Sequence, residues 1–199
     1  MNIKSAQGTT ELFNQSREAR LESLNSLFKS LYDQQEIVQE VIIDGVNYRD
    51  QYNNYLIENL MDIRSVEIKS VQEAVLMQSI AEDLKEYLPK LIRGCDSIPE
   101  LLYGEMKEED WGYFGQLMEG TNWVGQSALA LRTYGDKRLG AEPIHASVVQ
   151  FIDGLEKHVE ELGTAMEQQD YTSAADLIKY EMSESFKHLL AQLEAETTS

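Results

Sequence analysis

The chain has 199 residues, with 17 Lys and Arg against 35 Asp and Glu, one Cys and three Pro, for a formal charge of −18. That sign argues against nucleic acid as a partner, because phosphate backbones call for a surplus of cations to displace counterions. At 42% apolar residues the chain also differs from disordered acidic polymers, and its length suffices to bury a core.

Met1 to Gly8 carries one basic residue with no apolar run behind it, so no secretory signal is visible and the expectation is a cytoplasmic protein. The longest uninterrupted apolar stretches, such as Ala74 to Met77 and Ala128 to Leu131, span four residues, where a membrane crossing takes about 20. No membrane span is predicted.

From about residue 10 to 34, Leu21, Leu24, Leu27, Phe28 and Leu31 recur at helical spacing, which predicts an amphipathic helix capped by Thr9 or Thr10. The pattern then changes period: Ile37, Val38, Val41, Ile42 and Ile43 lead into Asp44-Gly45 and Val46-Asn47-Tyr48. An Asp-Gly pair between β-branched residues predicts a hairpin, since a type I′ turn needs positive φ at both central positions. Asp50 is placed to cap a helix through about Ile63, and Ser65 to Ser70 reads as a third strand with Val66 and Ile68 on one face. Residues 1–70 are therefore expected to form a small α+β element of helix, hairpin, helix and short strand.

Residues 71–199 read as helical throughout. Val75, Leu76, Ile80, Leu84, Leu88 and Leu91 mark the first helix, with a kink or break expected near Pro89. Cys95 follows Gly94 and stands alone, which excludes an internal disulfide and predicts a reduced, partly buried structural residue. A short segment, Ile98 to Tyr103, precedes the acidic run Glu108-Glu109-Asp110, which suits the positive end of a helix over about 109–133. Trp111, Phe114, Leu117, Met118, Val124, Ala128 and Leu131 form its apolar side. Gly112, Gly115, Gly120 and Gly125 each cost about 1 kcal/mol relative to Ala, and Gly125 falls where a neighbouring helix would approach. A loop over 133–142 carries the basic pair Lys137-Arg138, and Pro143 suits a first helical turn. His145, Val148, Ile152, Leu155, Val159, Leu162 and Met166 then step by three or four as a heptad-like seam. Asp170 is placed to cap the last helix, with Tyr171, Ala175, Ile178, Met182, Leu189 and Leu193 on its core line. Four main helices with short connections predict an antiparallel bundle, so the fold class is mainly α with a small N-terminal α+β element. Of the 18 surplus negative charges, 14 fall on 71–199.

Chemistry-bearing patterns are sparse. Glu142-Pro143-Ile144-His145 matches the Glu-x-x-His spacing of carboxylate-bridged metal bundles once, without the second copy that such a site needs, so His145 reads better as a core-edge imidazole. Glu119, Glu181 and Glu184 read as solvated helix flanks. No nucleophile elbow or phosphate-cradling glycine loop occurs. No cofactor and no catalytic residue is predicted. Trp111, Tyr113, Phe114 and Trp123 are either core fillers or the lining of a ligand pocket; Trp123 falls beside the main stripe, facing a ligand or another subunit.

Two local patterns, Asp110-Trp111-x-x-Phe114-x-x-Leu117-x-Glu119-Gly120-x-x-Trp123 and Asp170-Tyr171-x-x-Ala174-x-Asp176-x-x-x-Tyr180-Glu181, resemble an uncharacterised group of bacterial, acidic, helix-rich proteins. The resemblance implies a bacterial cytoplasmic origin and no activity. The leading expectation is a non-enzymatic interaction or chaperone-like protein with a basic or aggregation-prone client, open to homodimerisation, with Trp111, Trp123, Lys137 and Arg138 as contact candidates. The alternatives are a metal-binding bundle using Glu142 and His145, or a small-ligand binder near Trp111 and Trp123.

Overall fold

The computed structural model describes residues 1–49, 51–137 and 143–196. The chain divides into two compact units, Met1–Leu76 and Met77–Ser199.

The first unit comprises β1 (Asn2–Ser5), β2 (Gly8–Glu11), α1 (Arg17–Asp33), β3 (Glu36–Ile43), β4 (Val46–Tyr48), α2 (Tyr52–Asn59) and β5 (Ser65–Gln72). Its sheet has five strands in the order β2-β1-β5-β3-β4, with β1 and β5 parallel and the other pairs antiparallel. The sequence predicts three of these strands and starts its first helix at about residue 10. Residues 2–11 instead form a hairpin that turns at Ala6-Gln7 and enters β2 at Gly8, with φ +127°, and Ile3 pairs with Val66. The helix accordingly begins later, and its cap is Ser16, whose Oγ accepts the Ala19 amide at 3.3 Å, with Thr9 and Thr10 held in β2.

The Asp-Gly hairpin forms as the pattern requires, with Asp44 and Gly45 at φ +48° and +87°. Alternation sends Val66 and Ile68 to one face of the sheet, where they join Ile3, Val41 and Ile43 in a core with Leu24 and Leu31 of α1 and Leu56 of α2. Glu67 and Lys69, on the other face, pair with Lys4 at 3.1 Å and Glu40 at 2.8 Å. Arg20 is buried and donates to the carbonyls of Leu60 and Met61 beyond the end of α2, at 3.1 and 3.2 Å. Asp50, expected as the cap of α2, lies outside the described residues.

The second unit holds the rest of α3 (Glu73–Leu102), then α4 (Glu108–Lys137), α5 (Pro143–Glu167), α6 (Tyr171–Asp176), a π-helical turn (Leu177–Met182) and α7 (Ser183–Glu196). Pro89 does not break α3, which continues through Pro99 and takes in the segment 98–102. Leu84, Leu88 and Leu91 are almost wholly buried around Pro89, each burial contributing about 1.5–3 kcal/mol, which offsets the roughly 3 kcal/mol that an interior proline costs. Likewise α4 runs on through residues 133–137, where the sequence suggests a loop. Asp110, in the first turn of α4, reaches back to accept the Lys107 amide at 2.9 Å, and Asp170 caps α6 by accepting the Ser173 amide at 3.1 Å.

Buried residues from α3, α4, α5, α6, the π turn and α7 form one hydrophobic core. Phe151 of α5 meets Phe186 of α7 with ring centroids 6.0 Å apart. Three described residues of the predicted apolar lines, Val75, Trp111 and Val159, are exposed. The fold class is mainly α with a small N-terminal sheet.

Candidate functional site

The two tryptophans of α4 occupy different surroundings. Twelve residues of helix separate them by about 18 Å along the axis. Trp111 packs edge-on against Phe114 and against Tyr171 of α6, with centroids 6.1 and 6.0 Å apart. Trp123 meets the ring of Tyr87 on α3 edge-on at 5.0 Å. Both indoles keep about two-fifths of their surface in solvent, 39% and 40%. The two rings thus lie in separate surroundings along α4, with Trp123 half-exposed beside the core stripe.

What brings Tyr87 close to α4 is Gly120. A Cβ there would lie 2.9 Å from Leu91 Cδ1 and closer still to the Tyr87 phenol oxygen. Gly94 of α3 plays the reciprocal part, its missing side chain leaving room for Leu117 Cδ1, which would stand 3.2 Å from a Cβ. Gly125 faces Leu155 of α5 at ordinary contact distance, whereas nothing in the structure explains Gly112 or Gly115.

Beside the Tyr87–Trp123 pair, α3 and α4 leave an open cleft of about 190 Å³. Leu91, Ile98 and Leu117 supply its apolar lining. Tyr87, Lys90, Tyr113 and Gln116 supply polar groups. The sequence singles out Tyr113 among the aromatics but gives no reason to pair α4 with Tyr87 or Lys90; the available signal is the pair of helix-interior glycines, Gly94 and Gly120.

A second polar cluster ties α3 to the π turn and the end of α6. Tyr103 donates its phenol proton to Asp176, and Lys179 pairs with Glu100 at 2.7 Å while its ammonium stands 5.8 Å from the Tyr103 ring centre. The bond to Asp176, aided by burial and the adjacent negative charge, pushes the Tyr103 phenol up to about 12. The Lys179 ammonium is raised by its bond to Glu100.

Cys95 is fully buried, and burial pushes its thiol up to about 12, which keeps it protonated and unreactive. Glu119, Glu181 and Glu184 are exposed, and Glu184 pairs with Lys187 at 2.8 Å. Arg138 and Glu142 lie outside the described residues, as do the side chains of Lys137 and His145. Among the described residues, no group of three or more His, Cys, Asp and Glu is placed to hold a metal ion, and no helix is long and apolar enough to cross a membrane.

These elements define a mainly α-helical chain with a small mixed sheet at its N-terminal end and half-exposed aromatics on an acidic helical unit. Residues 79–192, more than half of the chain, match the family described as a domain of unknown function, DUF8042, and the chain belongs to that family. Both local patterns, at 110–123 and 170–181, fall inside the match, in keeping with their resemblance to an uncharacterised group. No curated protein and no solved structure matches the chain.

Proposed function

We propose that the chain is a non-enzymatic interaction protein whose helical unit receives a basic, apolar-studded segment of a partner, in the manner of a scaffold or a chaperone for an aggregation-prone client. The observation that carries this reading is the half-exposed Trp123–Tyr87 pair with exposed carboxylates on the same two helices. Asp83 stands one turn before Tyr87, Glu86 adjoins it, and Glu119 stands one turn before Trp123. An indole face within a ring of carboxylates attracts Lys and Arg twice, through ion pairing and through the cation–π interaction, about 0.5–2 kcal/mol per contact. The surplus of 14 negative charges on 71–199 adds long-range steering toward such a segment.

On this reading α3, α4, α5 and the α6–α7 arm are the four members of an antiparallel bundle, and the edge strands β2 and β4 offer a route to self-association. A bacterial cytoplasmic setting belongs to the same reading, supported by the two motif patterns and by a lone thiol that suits a reducing compartment.

Titration of isotopically labelled protein with an amphipathic Lys/Arg-rich peptide tests it. The Trp123 indole resonance should move with that peptide, respond little to its Glu-rich counterpart, and lose the response to salt and in Trp123→Ala. An indole indifferent to the basic peptide, or a response that Trp123→Ala leaves intact, overturns the proposal.

A further inference from the structure

The cleft between α3 and α4 has a chemistry opposite to the surface around it. Its charged lining consists of Lys90, and its other polar groups are the phenols of Tyr87 and Tyr113 and the amide of Gln116; no carboxylate lines it. The Lys90 ammonium has no ion pair or hydrogen bond among the described residues, whereas Lys157, Lys179 and Lys187 of the same unit each lie within 4.0 Å of a carboxylate. The apolar side of the cleft is formed by Leu91, Ile98 and Leu117.

We infer that this cleft is a binding site for a small free carboxylic acid with a compact apolar body, the carboxylate held by Lys90 and the body against the three aliphatic side chains. Size sets the class: about 190 Å³ lies below the roughly 300–1,000 Å³ of pockets that enclose drug-sized molecules, so the ligand is a benzoate-sized or branched short-chain acid. Charge sets the head group, because a cation and neighbouring donors without an acceptor anion favour a ligand rich in acceptors. Glu86, one turn before Lys90, lies within screening range and offsets part of this preference, whereas most of the unit's negative surplus lies farther than about 8 Å and is largely screened at physiological ionic strength. The cleft shares Tyr87 with the basic-segment surface proposed above, but it rests on Lys90, and its readout, the amides of Gly94 and Gln116, lies apart from the Trp123 indole.

The test is a titration of labelled protein with benzoate and, in parallel, with benzamide, its uncharged counterpart. Benzoate should shift the backbone amides of Gly94 and Gln116 saturably, and benzamide should bind roughly tenfold or more weakly. Lys90→Gln should weaken benzoate by about ten- to a hundredfold, as expected for loss of a charge-assisted bond, while Lys90→Arg retains binding. Lys90 is exposed, so both variants should keep the wild-type amide dispersion. Absence of shifts at Gly94 and Gln116, equal binding of benzamide, or an unchanged affinity in Lys90→Gln overturns the inference.

Discussion

The phenol oxygen of Tyr87 occupies the space that a Cβ at position 120 would need, so Tyr87 and Gly120 are a matched pair across α3 and α4. Gly120→Ala would gain about 1 kcal/mol of helix propensity but must displace Tyr87 and Leu91. Overpacking of this kind costs about 1–3 kcal/mol, and loss of the edge-on contact with Trp123 a further 0.5–1.5 kcal/mol or so. A net loss of about 1–2 kcal/mol in denaturant titration is expected. Removing the phenol oxygen by Tyr87→Phe should relieve part of it, so the double variant should deviate from additivity by more than about 0.5 kcal/mol.

Tyr103 gives the protein an alkaline limit. Its phenol donates to Asp176 while neutral, and its ionisation would remove that donor and set two negative charges side by side. The folded phenol titrates at about 12 against about 10 unfolded, so the native state keeps the proton longer. The associated stability is present below pH 10 or so and is lost as pH rises toward about 12. Melting temperature should therefore fall less steeply over that window in Tyr103→Phe than in the wild type; parallel slopes would count against this role for the bond.

Asp44 does more than turn the hairpin. Its carboxylate accepts the amides of Arg64 and Ser65 at 3.0 and 2.7 Å, fastening the β3–β4 turn to the start of β5. Asp44→Ala removes these bonds and the tolerance for a left-handed backbone, for a loss of about 1–3 kcal/mol; Asp44→Asn keeps the turn and should lose less. Faster amide exchange at Arg64 and Ser65, graded Ala over Asn over wild type, is the expected outcome.

Legibility in the sequence follows how local the cause is. Asp44-Gly45 between β-branched runs, the alternation of Val66 and Ile68 with charged neighbours, and the long apolar lines of α3, α4 and α5 are local, and the structure contains them. β1 and β2 are short; every residue of β2 is exposed, so it carries no alternation, and it pairs with β1, which is itself held by pairing with β5 some 60 residues away. Pro89 marks a local preference that burial of its neighbours overrides. The candidate site is divided in the same way. Trp123 stands out by its angle to the core stripe, but its partner Tyr87 and the cleft beside it arise from apposition of two helices at Gly94 and Gly120, which no window along one helix records.

The π turn at Leu177–Met182 has a consequence for counting. A π turn takes more residues per revolution than the 3.6 of an α-helix, so the chain leaves it rotated backward relative to a continuous α-helix. That lag lets Ser183 and Phe186, both fully buried, share the inward stripe with Ala174, Ala175 and Ile178. Removing one residue from the turn would return its hydrogen bonds to α form; the shorter α path and the longer π path sweep nearly the same angle, so α7 would keep its phase and Phe186 its place opposite Phe151. The turn thus works as a phase adjuster, and α7 is read in a frame of its own.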